Sequence, residues 1–189
     1  MTALPGLFPP HVPTGFHYQE DFITESDELE LVHAMAGITF SEFEMRGVVA
    51  RRRVAFFGES YGGAAAGALP EFLLPLRAAI AAWAAVEPAA FAMALINEYR
   101  PGTPIGWHRD APQYGLVAGC SLVSACRMKF RPYLSKSAQS ASTRRAATHE
   151  VILAQRSAYL MTQESRDAFE HHIPPVANLR YSITYRTLR

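Results

Sequence analysis

The sequence has few cysteines and no long apolar run, and both shortages exclude classes of protein. Only two cysteines, Cys120 and Cys126, occur among 189 residues. Two thiols are too few for the disulfide framework of a small secreted domain or for a four-thiolate zinc site, so we expect buried, reduced cysteines. A membrane-spanning helix needs roughly 18 or more apolar residues, and the Ala-rich stretch at residues 78–86 is too short.

An excess of one charge sign is also missing. The 18 Lys and Arg residues nearly balance the 17 Asp and Glu residues, and the formal net charge is +1. No global basic field therefore attracts nucleic acid, and any such contact must come from a local patch. The first 13 residues hold four prolines and no basic region followed by an apolar one. We therefore expect no signal peptide. We also expect no membrane contact, a cytoplasmic location and a monomer.

Hydrophobic residues make up 49% of the sequence, enough for the core of a single domain, which we assign to residues 15–189 after a Pro-rich coil at 1–14. Apolar spacing predicts one helix after Thr24 or Ser26 and another after Pro70 or Pro75. Residues 40–57 read as extended, and residues 133–148 as a polar connection. From residue 91 onward, short strands are predicted at 91–99, 116–124, 126–132, 149–154, 157–162 and 178–188. Such strands with no helices between them favour an antiparallel sandwich or barrel, in an α+β chain that is mainly β.

His108 and Asp110 form the first candidate site. Residues two apart lie on the same side of an extended backbone, so this imidazole and this carboxylate can face one interior. They provide two of the three ligands in the 2-His-1-carboxylate arrangement that holds non-haem Fe(II). A surface turn explains the pair equally well. The third ligand must come from another strand, and the spacing does not choose among His149, His171 and His172.

The last predicted strand alternates between apolar and polar residues. One face carries Leu179, Tyr181, Ile183 and Tyr185, and the other carries Arg180, Ser182, Thr184 and Arg186. A strand with its polar face in solvent shows the same pattern. At about 3.3 Å per residue the two arginine backbones lie about 20 Å apart, so their long side chains can converge on one small dianion. A dicarboxylate beside an open Fe(II) site describes 2-oxoglutarate in an oxygenase.

A run of arginines precedes a group of aromatic residues and has two interpretations. The residues concerned are Arg51, Arg52, Arg53, Phe56, Phe57 and Tyr61. The first interpretation is a solvated charge run beside core aromatics. The second is a lid over residues 46–63 that contacts phosphates through arginine and stacks a base on an aromatic ring.

Several motifs, taken in order, resemble one known family. They are Asn97-x-Tyr99, Gly106-Trp107-His108-x-Asp110, Val117-x-Gly119-x-Ser121-Leu122, Arg156-Ser157, Arg166, His171-x-Ile173-Pro174 and the run from Arg180 to Arg186. Together they look like the AlkB family of Fe(II)/2-oxoglutarate-dependent dioxygenases. The resemblance covers roughly residues 91–188. It implies a double-stranded β-helix, or jelly roll, with a core at 91–189 and helices that support one side.

The resemblance also implies roles for individual residues. His108, Asp110 and His171 match the iron ligands. The choice of His171 over His172 follows from the family pattern, in which one residue separates the second histidine ligand from Ile-Pro. Arg180 matches the partner of the distal carboxylate of 2-oxoglutarate, and Arg186 lies near the proximal carboxylate. The remaining expected cosubstrate residues are Asn97, Tyr99, Ser182 and Thr184.

By the same resemblance we expect Fe(II), 2-oxoglutarate and O2 as cofactors, and oxidative demethylation of N-alkylated bases in single-stranded DNA or RNA. Formaldehyde, succinate and CO2 would be the products. Trp107 and the predicted lid are the candidate substrate contacts. Three departures stand out: Ser182 replaces a frequent Asn, Gln163 replaces a common Gly, and Ala111-Pro112 follows Asp110 where several members carry another acid. Two alternatives therefore stay open, the same chemistry on a protein, lipid or small molecule, and a jelly-roll binding module without catalysis.

Overall fold

The computed structural model describes residues 12–45, 48–59, 65–133 and 148–189. The strands are β1 Phe16–Gln19, β2 Ser41–Met45, β3 Val48–Glu59, β4 Ala65–Ala66, β5 Phe91–Tyr99, β6 Ile105–His108, β7 Tyr114–Leu122, β8 Cys126–Pro132, β9 His149–Leu153, β10 Ala158–Met161, β11 Phe169–Ile173 and β12 Arg180–Leu188. The α-helices are α1 Glu25–Met35, α2 Leu74–Ala84 and α3 Gln163–Asp167, with 3-10 turns at Glu71–Leu73 and Pro88–Ala90.

The strands form two antiparallel sheets. The larger sheet has the order β1-β10-β7-β12-β5-β3-β2, with β4 paired to β3, and the smaller sheet has the order β6-β11-β8-β9. A buried cluster joins the two sheets, with Tyr99 and Val117 from the larger and Phe130, Val151 and Ile173 from the smaller. This arrangement is the predicted jelly roll, and the mainly β fold class is confirmed.

Two helices cover the outer face of the larger sheet. Helix α1 begins with a capping box, in which the Asp27 amide donates to Thr24 Oγ1 at 3.1 Å and the Thr24 amide donates to Asp27 Oδ2 at 2.9 Å. Such a cap stabilises a helix by about 1 kcal/mol. Helix α2 has a proline in its first turn and buries Leu76 and Ile80 against the sheet. Both predicted helices are therefore present as supporting elements.

Strand β12 lies in the middle of the larger sheet, between β7 and β5. Ile183 and Tyr185 on one face belong to the core under the helices. Arg180 and Arg186 on the other face are buried between the sheets. The predicted alternation is confirmed, and its polar face is not in solvent.

Some predicted features lie outside the described residues, namely positions 1–11 of the Pro-rich coil, Tyr61, and residues 134–147 of the polar connection. Within the predicted lid, residues 48–59 form a strand of the larger sheet, paired with β5 at Arg53 and Glu98. Strands β6 and β11 were not predicted. Among the described residues, no helix has the length and apolar character to cross a membrane.

Candidate metal and cosubstrate site

Two strands of the smaller sheet bring the candidate ligands together. His108 on β6 and His171 on β11 are Cα partners, and their ring centroids lie 4.2 Å apart. Asp110 follows β6 by two residues, and its Oδ2 lies 3.7 Å from His171 Nε2. The side chains of His171 and Asp110 are buried between the sheets, and His108 is half-buried beside them. The predicted His-x-Asp pair is therefore part of a buried cluster rather than a surface turn.

Both histidines are held in the neutral form that a metal ion requires. Burial lowers the pKa of His108, and burial, together with the neighbouring His108, lowers the pKa of His171 to about 3. The Nδ1 of His108 lies 2.9 Å from the carbonyl oxygen of Gly106. Because a carbonyl only accepts, Nδ1 carries the proton, and the Nε2 lone pair is left for a metal.

Asp110 supplies the anionic donor. Burial alone would raise its pKa and is the largest single influence, but the charge of Arg186, the two neighbouring histidines and the hydrogen bonds from Arg186 together outweigh burial and hold the pKa of Asp110 well below its usual range. Arg186 donates to Asp110 Oδ1 from Nε at 2.9 Å and from Nη2 at 2.7 Å. The carboxylate is therefore ionised at neutral pH.

The donor types fit Fe(II), because two neutral imidazoles and a carboxylate form the set typical of non-haem oxygenases. In the parts of the chain that the structure describes, no three histidine, cysteine, aspartate or glutamate side chains are already arranged to hold a metal ion. One Asp110 oxygen accepts a hydrogen bond from Arg186. Side chains of this cluster must therefore rotate before His108, Asp110 and His171 can bind the same ion.

Arg180 is suited to hold a carboxylate. Its side chain is 1% exposed, its Nε donates to Ser121 Oγ at 3.1 Å, and its guanidinium lies 4.9 Å from the ring centre of Tyr99. Among the described residues, its Nη1 is buried without a hydrogen-bond partner. A buried cationic donor left unsatisfied is costly, so this atom favours an anionic ligand.

The polar side chains between the arginines form two hydrogen-bonded groups. Arg52 Nε donates to Asn97 Oδ1 at 3.1 Å, and Asn97 Nδ2 donates to Ser182 Oγ at 3.3 Å. Arg186 Nη1 donates to Thr184 Oγ1 at 3.1 Å. Tyr99 also lines the same cavity. The structure thus brings all six predicted cosubstrate residues to one place.

Two concavities differ in chemistry. The larger one, about 520 Å³, is an open groove beside β3, and Glu42 is the one ionisable group among the described residues that line it. The smaller one, about 50 Å³, lies between the sheets and is lined by His108, Asp110, His171 and the arginines. The smaller cavity is the candidate active site because it holds the metal-ligating and anion-binding groups.

Most of the predicted substrate contacts are not brought to this cavity. Arg52 lines it, but Arg51 is exposed, and Arg53 lies on the opposite face of the sheet, where its Nη2 is 2.7 Å from Glu98 Oε2. Phe57 packs against the core under the helices, and Phe56 joins a cluster with Val54.

Trp107 and His172 face away from the cavity. Their rings stack with centroids 5.0 Å apart, and the Arg131 guanidinium lies 4.4 Å from the Trp107 ring centre. His149 contacts Phe169 instead, with ring centroids 5.8 Å apart. Of the three histidines that the spacing left open, His171 is the one that meets His108 and Asp110.

Two residues of the family motifs, Arg166 and Gly119, have structural roles around the cavity that the sequence did not indicate. Arg166 is buried and donates to the carbonyl oxygens of Ala111 and Tyr114 at 2.7 Å and of Gly115 at 3.1 Å. Gly119 is required by close packing, because a Cβ there would lie 2.4 Å from the Tyr159 ring, which lines the cavity. Neither contact leaves a periodic signal in the sequence.

Comparison with known families agrees with this site. The family model of the 2OG-Fe(II) oxygenase superfamily matches residues 56–186, and the chain therefore belongs to that superfamily. Membership implies Fe(II), 2-oxoglutarate and O2 as cofactors.

Solved structures confirm the fold. The structure of OsALKBH1 is similar with a TM-score of 0.69 at 14% identity, over 94% of this chain and 100% of that one. A Pseudomonas putida prolyl-4-hydroxylase is similar with a TM-score of 0.62 at 14% identity, over 93% of both chains. The predicted AlkB-like architecture is therefore confirmed as a fold.

Proposed function

We propose that this oxygenase holds Fe(II) through His108, Asp110 and His171 and removes N-alkyl groups from bases of single-stranded DNA or RNA. The observation that carries the proposal is the buried cluster of two neutral imidazoles and one ionised carboxylate next to the unsatisfied Nη1 of Arg180. Bound Fe(II) and 2-oxoglutarate supply the oxidation of a substrate C–H bond by O2, with release of succinate and CO2.

The side chains of the cavity bind 2-oxoglutarate and orient it beside the metal. Arg180 is the proposed partner of the distal carboxylate, with Asn97 and Tyr99 alongside it. Arg186, next to Asp110, is the proposed partner of the carboxylate nearer the metal. The two packed sheets keep bulk water from the cavity. Oxidation of an N-methyl group gives an N-hydroxymethyl group, which loses formaldehyde and leaves the unmodified base.

An exposed pair of side chains that lies near the proposed ligands in the sequence supports a nucleic-acid substrate. Along the chain, Arg109 stands between the proposed ligands His108 and Asp110, and its guanidinium is 3.6 Å from the ring centre of Tyr133. Tyr133 is 47% exposed. Exposed aromatic rings and guanidinium groups bind single strands by stacking and by phosphate contact. The solved AlkB homologue OsALKBH1 has the same fold.

The test is formaldehyde release from methylated single-stranded DNA and methylated tRNA, with Fe(II), ascorbate and 2-oxoglutarate. Release by the wild type, and none by His108→Ala, supports the proposal. Consumption of 2-oxoglutarate with some other substrate, with no turnover of any methylated nucleic acid, contradicts it.

A protein substrate is the second candidate. The prolyl-4-hydroxylase shares the fold, and Ala111-Pro112 follows Asp110 where a second, base-contacting acid was expected from the family resemblance. Hydroxylation of a proline-containing peptide adds one oxygen atom without releasing formaldehyde. Mass spectrometry of peptides incubated under the same conditions therefore distinguishes the two functions.

A further inference from the structure

Tyr159 lines the cavity, although it belongs to none of the motifs that predicted the site. It lies on β10, is 7% exposed, and faces the cavity together with the arginines of β12. Gly119 on β7 is its Cα partner, and Gly119 is in turn the partner of Thr184 on β12. Three adjacent strands therefore place Tyr159, Gly119 and Thr184 in one row across the larger sheet.

The ring of Tyr159 lies across Gly119 and points toward β12. A Cβ at Gly119 would be 2.4 Å from Tyr159 Cζ and 2.6 Å from its Oη, so the hydroxyl end of the ring lies directly over the glycine. Adjacent strands of a sheet are about 4.8 Å apart. The ring therefore ends about one strand spacing from Thr184, beside the part of β12 that separates Arg180 from Arg186.

Neighbouring rings keep Tyr159 from moving away from the cavity. Phe16 stacks on the Tyr159 ring with centroids 6.0 Å apart, and Phe130 packs edge-on against Phe16 with centroids 5.0 Å apart. Both phenylalanines are buried, and side chains in a close-packed core have little room to shift. The ring is therefore a fixed side wall of the cavity. Asn97 and Tyr99 line the cavity from β5, on the other side of β12.

We propose that Tyr159 limits the width of the cosubstrate pocket, so that the site accepts unbranched 2-oxoglutarate and rejects 2-oxo diacids with a substituent on the carbon chain. The inference rests on the proposed function, because it uses the carboxylate roles proposed for Arg180 and Arg186. A diacid held by these two arginines extends past Thr184, directly beside the ring. Gly119 is part of the same device, because a larger residue there would displace the ring into the cavity.

The test measures binding of 2-oxoglutarate, 3-methyl-2-oxoglutarate and 4-methyl-2-oxoglutarate by isothermal titration calorimetry, with Mn(II) in place of Fe(II) so that no turnover occurs. The wild type should bind 2-oxoglutarate at least about tenfold more tightly than either methylated diacid, as overpacking by one methyl group implies. Tyr159→Leu shortens the side chain and should bring this ratio of affinities close to one. Tyr159→Phe should keep the ratio because the ring stays.

Met161→Ala is the matched control for Tyr159→Leu. Met161 is a buried residue two positions further along β10, and it is not among the described residues that line the cavity. The substitution should lower the unfolding temperature, because it removes buried side-chain atoms, but its ratio of affinities should equal that of the wild type. A general loosening of the core would instead change the ratio in both variants.

Gly119→Ala tests the same wall with the tyrosine in place. The added methyl group displaces the ring, so we expect 2-oxoglutarate to bind at least about tenfold more weakly. Gly67→Ala should leave the affinity unchanged, because a Cβ there would have no described atom within 4 Å. Combining Gly119→Ala with Tyr159→Leu should restore most of the lost affinity, since residues in contact couple in this way and the shorter side chain leaves room for the methyl group.

The outcomes separate this inference from the proposed function. Equal ratios in the wild type and Tyr159→Leu overturn the inference while 2-oxoglutarate binding stands. If Tyr159→Leu does not fold, the comparison of Gly119→Ala with Gly67→Ala decides, and equal affinities in those two variants overturn the inference. If the wild type does not bind 2-oxoglutarate, the proposed carboxylate roles and this inference are both wrong. The assay contains no nucleic acid, so a failure to demethylate bases leaves the inference intact.

Discussion

Arg166 connects the two segments that carry the proposed metal ligands, and its replacement should destabilise both. The side chain lies on α3 and is 5% exposed. It donates to three backbone carbonyls in residues 111–115, directly after Asp110. His171 follows α3 on β11. We therefore predict that Arg166→Met, which keeps most of the apolar stem, lowers both the free energy of unfolding and the affinity for Fe(II).

The size of the effect follows from the three hydrogen bonds. A hydrogen bond to a charged group is worth about 1.5–3 kcal/mol, and a buried carbonyl left without its donor costs about 1–3 kcal/mol. For three such carbonyls we expect a loss of about 4 kcal/mol, which is below the total stability of about 5–15 kcal/mol that a domain has. For a chain of this length, each kcal/mol shifts the unfolding temperature by about 2–4 °C, so Tm should fall by roughly 8–16 °C.

The assay is calorimetric unfolding of the metal-free protein, followed by anaerobic Fe(II) titration well below the new Tm. Arg127→Met is the control, because Arg127 is 61% exposed and lies 3.9 Å from Glu150. Exposed pairs of this kind contribute at most about 1 kcal/mol. A loss in Arg166→Met no larger than in Arg127→Met would refute the structural role assigned to Arg166.

Three further predictions concern the cavity itself. His171→Ala should abolish Fe(II) binding in an anaerobic titration while His172→Ala retains much of it, and the reverse result would place the ligand one residue off. Arg180→Gln should raise the KM for 2-oxoglutarate at least about tenfold, as loss of one charge-assisted contact implies, and an unchanged KM argues against its carboxylate role. In metal-free protein, stability should fall as pH drops from 6.5 toward 3, because the unfolded chain binds a proton at His171 that the folded chain, with its pKa of about 3, does not bind. The slope from this group is at most roughly 1.4 kcal/mol per pH unit, and urea titrations at several pH values should show a flatter profile for His171→Asn.

The last strand was predictable because its two faces are buried in different surroundings. Ile183 and Tyr185 pack under the helices, whereas Arg180 and Arg186 face the cavity. A period of two in hydrophobicity records that difference directly. The sequence left open only whether the polar face met solvent or a site.

In strand β3, by contrast, the sequence pattern could not predict which arginine faces the cavity. Arg51, Arg52 and Arg53 are chemically identical, so alternation carries no information about which of them faces the site. The assignment comes from partners distant in sequence, since Arg52 meets Asn97 and Arg53 meets Glu98 on adjacent positions of β5. Arg166 was equally hidden, because its three partners are backbone carbonyls that any residue provides.

The composition of β6 and β11 explains why neither strand was predicted although both carry proposed ligands. Each is short, and in each the histidine of the site is next to an outward-facing residue that is also polar or aromatic, so no clear apolar period appears. On the outer face, Trp107 stacks on His172, and Arg131 lies 2.6 Å from Glu170, its Cα partner across β8 and β11. On the inner face, the same register makes His108 and His171 partners. A slip of one residue would turn every side chain of β11 to the other face, so the contacts on the outer face hold the register that brings the two imidazoles together.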